Sequence, residues 1–383
     1  MKKKIAILGS TGSIGKSLLN IISRDKKKFQ ILLLTANKNY KLLLKQAETY
    51  KVKNIIISEK KYFKKAKSIN RNKNITIINT FKNFKKIFPN KIDYTMSAIV
   101  GIEGLLPILK IIKFTKKIAI ANKEPIICAW DLINKELKKN KTEFIPVDSE
   151  HFSVWYALRG KNSYNIEKVF LTASGGSLFK VDLKKYKSLK LNQILNHPNW
   201  KMGQKITIDS STMMNKVFEV IEAKKLFNLD YKKLSILIHP KSYLHAIVKF
   251  NDGMTKLIAH DTTMEIPIFN TLYDNNSKSI KTDNLNLESL NDLKLSKIDI
   301  KKFPLTKILK ILPNKNSLFE TVLVSANDEL VKLFLNKEIS YTDISKRMMK
   351  LISLKELQKY KKIRPKSIKD IFKLNEYVRL KIN

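Results

Sequence analysis

Apolar residues in the first half of the chain fall in short continuous runs, separated by stretches in which they recur every three to four positions. The runs Lys4–Leu8, Gln30–Thr35, Asn54–Ser58, Ile75–Ile78, Tyr94–Ala98, Ile118–Ala121 and Phe144–Val147 have strand length and read as buried strands. Between several of them, Ile14–Arg24, Tyr40–Lys51, Gly104–Lys113 and Pro125–Lys139 are amphipathic with the helical period. Alternation of this kind predicts a parallel sheet with helices on both faces, over residues 1–147.

The pattern then changes. Over residues 148–271 the predicted strands Val169–Thr172, Ser235–His239, His245–Phe250 and Thr255–His260 come with fewer helices, and the last two flank Asn251-Asp252-Gly253, a hairpin signal. This describes a mixed α/β domain. Residues 272–298, rich in Asn, Asp, Ser and Lys, read as a surface linker. Helical period returns in Ser317–Asn336 and Tyr341–Lys350, which predicts a C-terminal helical domain over residues 299–383. No internal repeat is present.

Composition narrows the class. A chain of 383 residues with 43% hydrophobic residues has material for two or three cored domains. No apolar run approaches the roughly 18 residues that span a bilayer, and Lys2–Lys4 leads straight into a strand, so the expected address is cytoplasmic. The net charge of +42 points at first to a polyanion partner. However, only Arg24, Arg71, Arg159, Arg347, Arg364 and Arg379 are arginines, and the lysines are spread over the whole chain, so a solvated lysine surface is preferred to a nucleic-acid function. The single cysteine, Cys128, rules out an internal disulfide or a Cys-based zinc site. A metal here must be held by carboxylates, imidazoles or water, which favours Mg or Mn.

Four segments carry candidate chemistry. Gly9-Ser10-Thr11-Gly12-Ser13-Ile14-Gly15 follows the first strand and opens a helix, the context in which glycines admit a pyrophosphate to a helix N-terminus and which makes the domain Rossmann-like. After the second strand stands Asn37-Lys38-Asn39 in place of an acidic residue, which suits a 2′-phosphate and hence NADPH. Asp148-Ser149-Glu150 reads as a carboxylate pair on one side of an extended chain, or equally as the start of a helix. The run Asp209–Glu219 reads as hydroxyl and amide groups at the start of one helix, an anion cradle with Asn215 and Lys216 on the same face as Glu219. Two loops add to these: Thr172-Ala173-Ser174-Gly175-Gly176, a Gly-rich turn, and His197-Pro198-Asn199-Trp200-Lys201-Met202-Gly203, read as a lid whose Trp200 and Met202 cover the substrate.

Taken in order with Ser97–Leu106, Ala121–Glu124 (ANKE), Pro146–His151 (PVDSEH) and His239–Ser242, these segments resemble the 1-deoxy-D-xylulose 5-phosphate reductoisomerase family over nearly the whole chain. The resemblance implies that Asp148, Glu150 and Glu219 hold Mg or Mn, and that Ser149, Ser174, His197, Ser210, Asn215 and Lys216 bind substrate beside Glu150 and Glu219, with Lys123 close by. It implies NADPH on Thr11, Gly12, Ser13, Ile14, Asn37, Lys38, Asn39, Asn122, Glu124 and Gly203, and a homodimer. It also implies rearrangement of a hydroxyketone to a branched aldehyde, followed by hydride transfer. Four places depart from the family pattern: Asn37 for glycine, Pro125 for serine, Ser177-Leu178 for Pro-Phe, and Thr262-Thr263-Met264-Glu265 for Pro-Asp-Met-Arg. A rival reading, a semialdehyde dehydrogenase, requires Cys128 as nucleophile.

Overall fold

The computed structural model describes residues 1–159, 165–200, 202–273, 278–285 and 287–382. The chain forms two compact units, one of Met1–Pro125, Asp131–Asp148 and Met264–Ile280, the other of Ile126–Trp130, Ser149–Thr263 and Lys281–Asn383.

The first unit is built on seven strands: β1 (Lys3–Leu8), β2 (Phe29–Ala36), β3 (Asn54–Ile57), β4 (Thr76–Ile78), β5 (Ile92–Ser97), β6 (Thr115–Ile120) and β7 (Glu143–Pro146). They form one sheet in the order β4-β3-β2-β1-β5-β6-β7, every pair parallel. The expected Rossmann-like sheet is therefore present, with each predicted strand within a few residues of its place. Ile5, Ile7, Leu34, Ile55 and Met96 are buried with Leu18 and Ile22 of the helix Ser13–Ser23 and with Leu43 and Ala47 of the helix Tyr40–Thr49. The later helix Glu265–Leu272 adds Ile268 and Leu272 to this core, and Tyr94 Oη shares a 2.8 Å hydrogen bond with Thr271 Oγ1, which satisfies two polar groups in an apolar setting.

β1 lies between β2 and β5, so the direction in which strands are added reverses there. A parallel sheet opens a crevice beyond its carboxyl ends at such a point.

The second unit has a mixed sheet of β8 (Ile166–Ala173), β9 (Leu234–Ile238), β10 (Leu244–Phe250) and β11 (Thr255–Ala259), in the order β11-β10-β8-β9. β10 and β11 pair antiparallel across the predicted hairpin. Val169, Leu171, Ala246, Val248 and Phe250 pack with Val154 and Ala157 of the helix Ser149–Ala157 and with Val220, Ala223 and Phe227 of the helix Met214–Phe227. Helices Phe319–Leu335, Tyr341–Ile352 and Ile368–Ile382 complete the C-terminal region. Among the described residues no helix is long and apolar enough to cross a membrane.

Two local readings are corrected. Asp148-Ser149-Glu150 is not extended, because the helix begins at Ser149 and the helix-start alternative holds. Asp209–Glu219 is not one helix start. The helix Gln204–Ser211 ends there and Met214–Phe227 begins, with left-handed Met213 (φ 61°) between them. Ser211 and Thr212 donate their hydroxyl protons back to Ile208 O (2.8 and 3.1 Å), which also accepts from Thr212 N (3.0 Å), so the last turn's carbonyl is satisfied where left-handed Met213 breaks the helix.

Candidate active site

The glycines of the first turn divide into packing and open positions. Gly9 has φ +85° and a Cβ there would stand 2.6 Å from Ala98 O; a Cβ at Gly15 would stand 2.5 Å from Gly9 O and Ser10 Cα. Gly12 is not crowded, since a Cβ there would meet only Gly9 O at an ordinary contact distance of 3.5 Å, and it occupies the N-cap of Ser13–Ser23 with no side-chain cap and no acidic residue in the first turn. The helix thus keeps its N-terminal N–H groups and partial positive charge for an outside anion, between half-buried Thr11 and Ile14 and beside exposed Ser13. Asn37, Lys38 and Asn39 follow β2 and are exposed; Asn39 Oδ1 accepts from Leu42 N (3.3 Å) and so also caps a helix. Asn122 and Glu124, after β6, are buried, and Asn122 Nδ2 has no hydrogen-bond partner among the described residues. These features fit a dinucleotide.

At the end of the sheet, the Lys123 ammonium lies 3.0 Å from Asp148 Oδ2, both side chains largely buried. Asp148 leads directly into the helix Ser149–Ala157, whose Glu150 accepts from Ser149 Oγ at 2.5 Å. Glu219 is 1% exposed, on the helix Met214–Phe227. One carboxylate oxygen from each of Asp148, Glu150 and Glu219 lies within 4.8 Å of the other two. Lys216 Nζ donates to Glu150 Oε1 (2.7 Å) and to Glu219 Oε2, and Asn215 Nδ2 donates to Glu219 Oε1. Burial works against the Lys216 ammonium, but the carboxylates of Glu150 and Glu219 outweigh it and hold its pKa above the usual value. A site where a buried cation must join two carboxylates has the charge and donor set of a hard-metal site.

Ser174 follows β8 in a turn held by Gly175 (φ +85°) and Gly176 (φ +71°). A Cβ on Gly176 would meet Ser211 Cα at 2.7 Å and Ser210 O at 2.8 Å, so only glycine lets this turn lie against the end of Gln204–Ser211, beside half-buried Ser210. Ser174 Oγ is 3.1 Å from His197 Nε2, and burial pushes the His197 imidazole down to about 4. Trp200 and Met202 are half-buried, Trp200 edge-on to His245 with ring centroids 6.1 Å apart, and exposed Gly203 is the N-cap of Gln204–Ser211. Lys201 lies outside the described residues.

The sequence reading left several neighbours of these groups without a role. His245 and His260 stack at 3.7 Å beneath Trp200. Buried His151, from the PVDSEH segment, bonds Glu219 O through Nε2 (2.9 Å) and faces Glu222 Oε2 at 3.4 Å. A histidine carries no strand or helix period, so only its place in a motif could have marked it. Cys128 is 1% exposed, which leaves the dehydrogenase rival without an accessible nucleophile.

The departures are absorbed locally. Pro125 stands in the first turn of the helix Lys123–Lys139, where no N–H is needed; Ser177 Oγ donates to Ile194 O (2.6 Å), and Leu178 is fully buried. Glu265 pairs with Arg24 (3.1 Å) and accepts from Asn20 (2.7 Å).

A parallel sheet with an uncapped helix start at its switch point places the chain among the nucleotide-binding α/β proteins. Family models for 1-deoxy-D-xylulose 5-phosphate reductoisomerase match residues 5–130, and those for its C-terminal domains match residues 144–227 and 261–381. The chain is 57% identical over 383 residues to the 1-deoxy-D-xylulose 5-phosphate reductoisomerase of Pelagibacter ubique (100% of this chain, 99% of that one) and 35% identical to that of Clostridium tetani (100% of each). Among solved structures, the Zymomonas mobilis enzyme in complex with NADPH aligns with TM-score 0.87 and 30% identity (100% and 98% covered). A DOX-P reductoisomerase in complex with NADPH, fosmidomycin and magnesium aligns with TM-score 0.90 and 31% identity (99% and 97% covered). The chain belongs to the 1-deoxy-D-xylulose 5-phosphate reductoisomerase family.

Proposed function

We propose that this chain rearranges and reduces 1-deoxy-D-xylulose 5-phosphate to 2-C-methyl-D-erythritol 4-phosphate, using NADPH, with Asp148, Glu150 and Glu219 holding a divalent cation. The observation that carries the reading is the three-carboxylate cluster within 4.8 Å, a set of hard oxygen donors suited to Mg or Mn. Bound there, the cation supplies Lewis acidity toward neighbouring oxygens of a hydroxyketone, and NADPH supplies the hydride.

The chain's own residues supply the rest. Ser174, Ser210, Asn215 and Lys216 bind the phosphate, with His197 next to Ser174 (3.1 Å). Ser149 orients Glu150 through its 2.5 Å bond, and Lys123 orients Asp148 through its 3.0 Å ion pair. Trp200 and Met202 cover the substrate and exclude water during rearrangement. Thr11, Gly12, Ser13 and Ile14 take the pyrophosphate of NADPH on the open helix start, Lys38 with Asn37 and Asn39 takes the 2′-phosphate, and Asn122, Glu124 and Gly203 complete the cofactor's contacts.

The domain plan that goes with this reading is an NADPH domain at 1–147, a catalytic domain at 148–271, a linker at 272–298 and a helical domain at 299–383. A homodimer, a cytoplasmic address and a place in isoprenoid precursor supply belong to the same proposal. The test follows NADPH consumption with 1-deoxy-D-xylulose 5-phosphate, with and without divalent metal. The expected result is oxidation that requires both; no turnover with metal present would overturn the reading.

A further inference from the structure

The loop that carries His197 is fastened by a residue to which the preceding reading gives no role. Asn199 Nδ2 donates to Pro240 O (2.6 Å) and to Ser242 Oγ (2.9 Å), both in the turn after β9, where buried Ser242 holds a left-handed φ of 53°. The same loop folds back on its own histidine: the backbone N–H groups of Asn199 (3.2 Å) and Trp200 (3.0 Å) both donate to His197 Nδ1.

A ring nitrogen that accepts hydrogen bonds carries no proton, so the proton of the neutral imidazole resides on Nε2. That nitrogen faces Ser174 Oγ at 3.1 Å and is therefore the donor. Gly176 N also donates to Ser174 Oγ, at 3.0 Å. A serine hydroxyl has two acceptor positions and one proton. With both acceptor positions taken, Ser174 can only donate to whatever binds in front of it, and it suits an oxygen that only accepts, such as that of an ionised phosphate.

We propose that Asn199 is a positioning residue of the anion subsite: by pinning the loop to the Pro240–Ser242 turn it locks His197 as the Nε2–H tautomer, which turns the Ser174 hydroxyl proton outward to an anionic oxygen. The identity of that anion, the substrate phosphate, rests on the function proposed above; the tautomer does not. His197 in this role is a neutral donor to Ser174, neither a cationic phosphate ligand nor a proton shuttle.

The test joins spectroscopy to kinetics. In wild-type protein labelled with ¹⁵N-histidine, long-range ¹H–¹⁵N correlation at neutral pH reports which nitrogen carries the proton, with His197 assigned by loss of its signals in His197→Gln. The expected pattern is Nε2–H with Nδ1 unprotonated. A proton on Nδ1, or on both nitrogens, overturns the proposal. Asn199→Ala is expected to mix the tautomers and to raise KM for 1-deoxy-D-xylulose 5-phosphate by about tenfold, the scale of one weakened hydrogen bond to a charged group. Its kcat and its KM for NADPH should change by less than about twofold, as expected where only substrate binding is lost. His197→Gln, whose amide can donate from near the Nε2 position, should keep a lower KM than His197→Asn. Unchanged tautomer and unchanged KM in Asn199→Ala sink the proposal. Should that variant fail to fold, Asn199→Asp, of the same shape but unable to donate to Pro240 O, replaces it. The spectra of wild type and Asn199→Ala need no substrate, so an inactive protein with the Nε2–H tautomer in the wild type and mixed tautomers in the variant would refute the activity and leave the positioning role standing.

Discussion

Lys216 shows most plainly how single residues set the chemistry. Its ammonium is buried between Glu150 and Glu219, and removing one partner of a buried ion pair leaves a charge without compensation, at a cost of roughly 3–5 kcal/mol. Lys216→Met should therefore lower the melting temperature measured in chelator, and divalent metal should recover part of the loss by restoring positive charge beside the carboxylates. Asp148→Asn, Glu150→Gln and Glu219→Gln should each reduce turnover by more than the roughly 100-fold that loss of an outer-shell metal partner costs. NADPH binding, followed by cofactor fluorescence, should persist in all three. Retained activity in all three with chelator present would sink the metal assignment. At the nucleotide end, exposed Lys38 and the missing acid after β2 predict kcat/KM at least about tenfold higher with NADPH than with NADH, roughly 1.4 kcal/mol of discrimination. Equal use of both cofactors would contradict the 2′-phosphate assignment.

At the scale of elements, the first βα turn separates packing from binding. Gly15→Ala places a Cβ 2.5 Å from backbone atoms and should destabilise the first unit by about 1–3 kcal/mol, the usual penalty for overpacking, whereas Gly12→Ala meets only Gly9 O at 3.5 Å, an ordinary contact, and should leave stability within about 0.5 kcal/mol. Thermal melts check both, and Gly12→Ala should weaken NADPH binding without unfolding anything. The loop Asn196–Gly203 makes the complementary case. Trp200 is half-buried and edge-on to His245, so a variant with Trp130 and Trp155 replaced by Phe should change its fluorescence on binding a phosphonate inhibitor. Trp200→Ala should impair turnover far more than it lowers stability. If that substitution unfolds the protein, Trp200 is a core residue and the lid reading is wrong.

For the whole molecule, four buried or half-buried imidazoles contribute to its sensitivity to acid. Burial holds His197 down to about 4 and His245 to about 3, and also lowers His239 and His260. The unfolded chain binds these protons near pH 6.5 and the folded chain does not. Their contribution is therefore whole above that pH and is lost as pH falls from 6.5 through 4 and on toward 3. Melting temperature should begin to fall already between about pH 6.5 and 5, above the range in which carboxylates titrate, and a flat profile there would mean that the histidines are solvated. Added salt should raise the melting temperature at neutral pH, because a chain of net charge +42 repels itself and ions screen that repulsion.

Much of this protein could be read from local pattern. The inner strands of the parallel sheet are visible because most of their residues are buried on both faces and so appear as continuous apolar runs, as in residues 5–8 and 33–36; the glycine turn is visible because backbone geometry there demands particular residues at particular spacing. The carboxylates Asp148, Glu150 and Glu219 were legible as chemical types inside motifs, but their meeting within 4.8 Å was not, since Glu219 is brought to Glu150 by helix packing across about 70 residues of chain. The extended reading of Asp148–Glu150 and the single-helix reading of Asp209–Glu219 failed for a related reason. Pattern records which groups can cap or break a helix, whereas which option is taken depends on what each end packs against. Likewise nothing in the order of residues ties Asn199 to Pro240 and Ser242. Those bonds follow from two loops folded against one another, because a hydrogen bond needs its donor and acceptor within about 3 Å, and only the tertiary structure brings residues 41 and 43 positions apart so close.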